Sequence, residues 1–169
     1  MRDYFEQLAG AVCVDVPGVD RTSLSFSAED SDFIRFNHAG VRQATHVEQR
    51  CATISVAAGQ RNASGSLTLS GNAEPDIRAL LAERDALVAQ LPLVPEDKFL
   101  LLPDTVTSTD RTEPGQLPPA ARVIAAVAKH AGSADVVGFY AGGPMVRAFA
   151  DSRGQRNWHS VASFDFEWC

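Results

Sequence analysis

The spacing of hydrophobic and polar positions changes along the chain, and each change marks a predicted element. Residues 3–13 predict a short helix because their apolar side chains recur at helical spacing, at Phe5, Leu8, Ala9 and Val12. From Thr22 the period falls to two, which is typical of half-buried strands. Successive stretches with this period predict four strands of an antiparallel meander, at 22–28, 33–37, 41–58 and 63–70. Short polar turns separate them, at 29–32, 38–40 and 59–62.

Prolines and glycines mark the helices that follow. Pro75, just after Asn72 and Glu74, predicts the start of a helix with an apolar stripe that ends at Leu91. The segment 92–119 is rich in proline and predicts an internal boundary. A further helix is predicted at 120–131, where Gly132 stops it. Three more strands are then predicted, with a hairpin turn at Gly142-Gly143 between the first two, at 136–141, 145–150 and 158–168.

The order of these elements predicts an α+β fold, with antiparallel sheets and helices packed on one face. Two similar strand-rich halves are joined by the proline-rich segment. We expect an N-terminal α+β domain at 1–91, made of the four-stranded meander and a helix. A proline-rich hinge at 92–119 follows, and 120–169 is the start of a second α+β domain.

A similar sequence motif occurs once in each half of the chain. Residues 36–43 and 149–157 each predict a strand, a polar turn closed by glycine, and then a second strand that opens with arginine and an amide. The second copy leads into strict alternation over 164–168, with no turn or cap after it. We therefore expect the chain to be the front of a longer protein, and the apolar face of this last strand to lack its neighbours.

Composition narrows the classes of partner and compartment. The net charge is −6 and argues against a nucleic-acid surface, which needs clustered Lys and Arg. The only lysines are Lys98 and Lys129, so the basic charge is mostly arginine. The cysteines are odd in number and widely spaced, which supports neither a disulfide framework nor a zinc knuckle and predicts a reducing cytoplasm. The sequence has neither a signal peptide nor an apolar run long enough for a membrane span, so we expect no membrane association.

Motifs for catalysis are absent from the sequence. None of the four histidines belongs to an H-E-x-x-H helix, and His46-Val47-Glu48 lacks the P-C-x-x-C partner that zinc deaminases need. No G-x-S-x-G elbow occurs, and Cys51 lies in a strand pattern as a small hydrophobe. The glycines around Gly142 do not open a helix, as a phosphate site would require. We predict neither a catalytic residue nor a metal ligand in this chain.

One polar set is left unexplained by packing. It combines guanidinium, amide, aromatic and imidazole groups, at Arg42, Arg156, Asn157, Trp158 and His159. Alternation places Arg156 and Trp158 on one face of a strand and Asn157 and His159 on the other. Such groups suit recognition of an extended peptide backbone, so we predict a peptide-binding set. The alternative is a solvated strand on which Trp158 covers the sheet edge.

Residues 33–71 and 137–168, with the turn at 152–159, resemble the N-terminal part of the TldD/PmbA family. These metallopeptidase-related proteins are also called modulators of DNA gyrase. The resemblance implies a cytoplasmic protein of about twice this length or more. Catalytic members hold zinc through a histidine-glutamate helix and a later cysteine in their second half, and a sister type lacks these ligands. A catalytic member and a member of the sister type pair to form a closed chamber that admits unfolded peptide.

The resemblance thus implies a non-catalytic front portion that shapes a substrate chamber and a subunit interface, as a homodimer or as a heterodimer with a related subunit. It implies no cofactor in this chain, and zinc in the C-terminal part of the parent protein only if that protein is a catalytic member rather than the zinc-free sister type. One alternative is a stand-alone module that binds a protein or peptide without any role in proteolysis. Another is a small hydrolase that uses Cys51 or a serine with one of the histidines.

Overall fold

The structure, a computed structural model, describes residues 1–38 and 40–169 and has an α+β fold. Its helices are α1 (Arg2–Val12), α2 (Ala73–Gln90) and α3 (Ala120–Ala131), and a short 3-10 turn covers Leu91–Leu93. The strands form one six-stranded, mostly antiparallel sheet in the order β3-β2-β1-β5-β6-β4. Their bounds are β1 Arg21–Asn37, β2 Gly40–Ala58, β3 Arg61–Thr68, β4 Thr109–Glu113, β5 Gly138–Asp151 and β6 Arg156–Trp168. The α+β class predicted from the sequence is confirmed.

The chain divides into two compact units, and the long strands contribute residues to both. Unit 1 comprises Met1–Ser27, Arg50–Arg111 and Arg147–His159, and unit 2 comprises Ala28–Gln49, Thr112–Val146 and Ser160–Cys169. Compactness does not test which segments fold independently. The predicted division at 1–91, 92–119 and 120–169 therefore stays a prediction.

Unit 1 is built around the apolar face of α1. This helix buries the side chains predicted from their spacing, Phe5, Leu8, Ala9 and Val12. The ring of Phe5 lies 5.7 Å from that of Phe26 and 6.0 Å from that of Trp158, between centroids. Burial of each such ring stabilises the fold by about 1.5–3 kcal/mol. Strand β3 lies along β2 in antiparallel register, with Cys51 opposite Thr68 and Ala58 opposite Arg61.

A buried carboxylate joins the beginnings of α1 and α2 in unit 1. Asp76 is 6% exposed, and its oxygens accept hydrogen bonds from Tyr4 Oη at 2.6 Å, from the N–H of Ser70 at 3.0 Å and from the N–H of Gly71 at 3.0 Å. The hydroxyl of Ser70 also donates to it at 3.0 Å. Burial opposes ionisation of Asp76, yet these donors together hold the pKa of its carboxyl below the usual value. Burial, together with the hydrogen bond to Asp76, raises the pKa of the Tyr4 hydroxyl.

Unit 2 has a smaller core under α3. Ile34, Phe36 and Tyr140 from the sheet enclose Val123 of the helix, and Phe33 stacks on Phe139 with 5.9 Å between ring centroids. Helix α3 has the predicted bounds, and Gly132 ends it with φ +56°.

Two predicted turns are wrong because the strands run through them. β1 is continuous across 29–32, so three strands rather than four form the first meander. The polar side chains there find partners on β2: Gln49 donates to Glu29 at 3.0 Å, and His46 lies beside Asp32. β5 is continuous across Gly142-Gly143. A Cβ at Gly143 would collide with the backbone carbonyl of Asp30, so this glycine allows close approach of two strands. The predicted turn at 38–40 includes Ala39, which lies outside the described residues.

The proline-rich segment contains one strand that the sequence does not predict. β4 lies within this segment, and the side chains of all five of its residues are exposed and give no apolar alternation to detect. Among the described residues, no helix is long and apolar enough to cross a membrane.

Candidate functional site

The turn between β5 and β6 positions most of the predicted polar set. Buried Asp151 accepts the backbone N–H groups of Arg153 and Gln155 on one oxygen, both at 3.0 Å, and Gly154 adopts φ +94°. An aspartate that caps its own turn, followed by a glycine with positive φ, is a common way to reverse a chain. The polar turn closed by glycine that the sequence predicts at this position is confirmed.

Arg156 uses its guanidinium to hold this turn. Its Nη1 donates to the carbonyl of Gln155 at 2.7 Å and to that of Asp151 at 3.1 Å. Its Nε lies 3.7 Å from the carboxylate of Glu6 in α1. The half-buried cation thus joins the turn to the helix in unit 1.

Asn157 and Trp158 have partners inside unit 1 too. The Asn157 amide donates to the carbonyl of Thr107 and the hydroxyl of Thr109, both at 2.9 Å, and so ties the segment before β4 to β6. Trp158 is only 6% exposed; it packs on Phe5, and the guanidinium of Arg2 lies 6.0 Å from its ring. These contacts give Asn157 and Trp158 architectural roles in the chain as it stands.

The remaining members of the predicted set are solvent-facing. His159 is exposed on β6 in unit 1, and Arg42 is exposed on β2 in unit 2. The structure therefore gathers residues 156–159 on one strand, with Arg42 in the other unit. Peptide binding by these five residues stays a prediction.

A groove in unit 2 has a mainly apolar lining, to which Gln116 and Arg122 add polar groups. Its volume is about 590 Å³; α3 supplies one wall and the sheet the other, through Val123, Ala126, Val127, Tyr140, Phe164 and Phe166. A second cavity of about 170 Å³ shares Val127 and Phe166 and extends to Trp168. Grooves lined by apolar and aromatic side chains are the usual setting for ligand or segment binding.

The aromatic side chains of β6 that line the groove and the second cavity are open to solvent. Phe164 is 58% exposed, Phe166 39% and Trp168 67%, although Phe164 stacks on buried Tyr140 with 5.8 Å between ring centroids. Burial, together with the charge of Asp32, raises the pKa of the Tyr140 hydroxyl. Sequence analysis identified the alternation of these aromatic residues on β6. It missed the groove, because no local pattern predicts that α3 stands opposite them.

A polar cluster lies elsewhere on unit 2. His46 places Nε2 3.0 Å from a carboxylate oxygen of Asp30 and Nδ1 3.1 Å from one of Asp32. The hydrogen bond to Asp32, helped by the charges of Asp30 and Glu48, raises the pKa of His46. In the part of the chain that the structure describes, no three His, Cys, Asp or Glu side chains are grouped as metal ligands. The cluster is suited to retaining a proton on His46.

No protein-family model matches this sequence, and no curated protein matches it. Solved structures do. A proposed modulator of DNA gyrase from Thermotoga maritima matches with a TM-score of 0.60 and 14% identity, over 96% of this chain and 38% of that chain. TldE from Thermococcus kodakarensis matches with a TM-score of 0.63 and 9% identity, over 88% of this chain and 40% of that one. The chain has the TldD/PmbA-like fold.

A second proposed modulator of DNA gyrase, from Bacteroides thetaiotaomicron, gives a TM-score of 0.60 at 13% identity, over 99% of this chain and 38% of that chain. The TldD/PmbA-like chain thus spans about two fifths of the length of the structures it matches. At these identities the likeness is one of fold. It confirms, at that level, the resemblance identified in the sequence.

Proposed function

We propose that this chain is the N-terminal, non-catalytic portion of a TldD/PmbA-type zinc metallopeptidase or of its zinc-free partner subunit. In that role it helps to form the substrate chamber and the subunit interface for proteolysis of peptides. The observation that carries the proposal is the fold match with TldE and the gyrase modulators, which takes in nearly all of this chain and only part of theirs. Zinc is held outside this chain, which supplies no catalytic residue.

The apolar groove of unit 2 supports a role in handling unfolded peptide. An unfolded chain presents apolar side chains that a folded protein conceals, and exposed Phe166 and Trp168 offer a surface for them. The proposed partners are an unfolded peptide and a related subunit, in a homodimer or heterodimer in the cytoplasm. Nucleic acid is not a proposed partner because the net charge of −6 would repel a phosphate backbone.

Detection of the native protein in extracts of its source cells tests this proposal. Antibody raised against the chain should capture a species much heavier than 18.1 kDa, together with a related subunit. The captured complex should cleave unfolded peptide and lose that activity with a zinc chelator. A captured species of 18.1 kDa without peptidase activity would overturn the proposal.

A stand-alone interaction module is the second candidate. Exposure of the large apolar side chains of β6 favours it, because such patches commonly mark binding surfaces. The same capture experiment separates the two candidates, since a module would appear at its own mass with a binding partner and no peptidase activity.

A further inference from the structure

His46 of β2 lies between two carboxylates of the neighbouring strand β1, and all three residues belong to unit 2. Its Nε2 is 3.0 Å from an oxygen of Asp30, and its Nδ1 is 3.1 Å from an oxygen of Asp32. Alternation places these aspartates on one face of β1, two residues apart, so a single imidazole ring reaches both. Each ring nitrogen is thus within hydrogen-bond distance of a carboxylate.

Only the protonated ring of His46 satisfies both contacts. An ionised carboxylate accepts hydrogen bonds and donates none, so each nitrogen needs a hydrogen to bond its aspartate. Imidazolium has two N–H groups, whereas neutral imidazole has one and presents a lone pair at the other nitrogen. Loss of the proton therefore converts one of the two contacts from an attraction into a repulsion.

The charged and titratable groups around His46 come from three strands of unit 2. Asp30 and Asp32 face it from β1, and Glu48 adds its charge from β2. On β5, the hydroxyl of Tyr140 interacts electrostatically with Asp32. The hydrogen bond to Asp32, helped by the three negative charges, raises the pKa of His46, so the folded chain holds this proton more firmly than the unfolded chain does.

The contacts of His46 fall on a stretch of β1 whose composition favours a turn. Residues 29–32 are Glu-Asp-Ser-Asp, and aspartate and serine are common turn residues. Side chains attach this stretch to β2 at two points. His46 does so on one face of the strands, and the amide of Gln49 does so on the other face by donating to Glu29 at 3.0 Å. Of the donors at these two points, only the histidine changes its charge close to neutral pH.

We propose that His46 is a pH-sensitive latch within unit 2: its protonated ring holds residues 30–32 of β1 to β2, and loss of the proton frees them. Because the folded chain binds the proton more firmly, the latch contributes its full stability below the ordinary histidine value of about 6.5. That contribution is lost as the pH rises through the higher, folded-state value. The inference goes beyond the proposed function and does not rest on it.

Nitrogen chemical shifts of the imidazole rings, measured by nuclear magnetic resonance on the whole chain, test the protonation step. We expect His46 to lose its proton at a higher pH in the chain than in a peptide of residues 44–48, which lacks the two aspartates of β1. Asp32→Asn should lower the midpoint towards that of the peptide, because the amide carries no charge to favour the imidazolium. Equal midpoints in the chain and the peptide would overturn the proposal.

Hydrogen exchange of the backbone amides, corrected for the intrinsic effect of pH on exchange, tests the release. Protection at 30–32 should fall by about two- to fivefold as His46 loses its proton, which is the effect expected of one cross-strand pair. His46→Gln has no titrating group and should show the lower protection at every pH. His159→Gln makes the same substitution at an exposed histidine of unit 1, and it should leave the pH dependence intact.

Three results of the exchange experiment would overturn the latch. Protection at 30–32 that stays constant while His46 titrates would show that the proton is retained without holding the strand. Absence of protection at every pH would show that the strand is not held at all. A loss of protection with pH that persists in His46→Gln would assign the effect to another group. Neither measurement reads peptidase activity or the mass of the native protein, so failure here leaves the capture experiment unaffected.

Discussion

Replacement of Asp76 by alanine removes the one acceptor shared by Tyr4, Ser70 and Gly71. The two backbone N–H groups cannot move away from a turn that the start of α2 holds in place. A buried donor without a partner costs about 1–3 kcal/mol, and a hydrogen bond to a charged group contributes about 1.5–3 kcal/mol. Because these contributions overlap, we expect Asp76→Ala to lower the free energy of unfolding by about 3 kcal/mol. In a chain of this size that lowers Tm by roughly 6–12 °C.

Urea unfolding monitored by circular dichroism measures this loss. Glu74→Ala is the matched control, because Glu74 lies in the same helical turn and its ion pair with Arg78 is exposed on both sides. A surface pair of this kind contributes under about 1 kcal/mol. Tyr4→Phe removes a single donor and should give an intermediate loss.

The difference between the wild-type chain and Asp76→Asn should also depend on pH. Since the folded state holds the pKa of Asp76 below its usual value, ionised Asp76 stabilises the fold above the ordinary aspartate range. That stabilisation is lost as the pH falls through the lower, folded-state value. An Asp76→Ala chain within about 1 kcal/mol of wild type, or a difference that does not change with pH, would refute the reasoning.

Two further predictions concern cysteines and glycines. Burial raises the pKa of the Cys13 thiol to about 12. A thiol reagent should therefore modify only exposed Cys51 and Cys169 in the folded chain, and it should reach Cys13 after unfolding. Immediate reaction of all three cysteines would contradict this prediction. Gly143→Ala should destabilise the chain by about 1–3 kcal/mol through the backbone collision already described, whereas Gly10→Ala, in α1 with open space around it, should stabilise it by up to about 1 kcal/mol. Similar shifts in urea midpoint for the two variants would show that the close approach at Gly143 does not limit packing.

Local signals predicted the helices well. α3 has the predicted bounds because Pro119 and Gly132 mark its two ends in the sequence. α1 buries its predicted face because an apolar stripe at helical spacing has only one way to meet a core. In both cases the residues that decide the outcome lie within the helix or directly beside it in the sequence.

Pairings distant in sequence escaped prediction. Residues 29–32 are polar enough for a turn, and only the partners on β2 explain why β1 continues through them. Trp158 packs on Phe5 of α1, from the other end of the chain, and no local pattern around Trp158 indicates that contact. The groove was missed for the same reason, since its walls on α3 and β6 are separated by more than thirty positions in the printed sequence.

The two edges of the sheet differ in how firmly they are closed. β3 has eight residues in register with β2 and packs against α2, whereas β4 has five exposed residues fastened by polar contacts such as that of Asn157 with Thr109. Ordering a backbone residue costs about 1–2 kcal/mol, and β4 buries no apolar side chain to offset that loss. We therefore expect β4 to separate from the sheet in local fluctuations that leave β3 attached. The rate of hydrogen exchange at the β6 amides that bond to β4 should consequently report the local stability of β4, rather than the free energy of unfolding of the whole molecule.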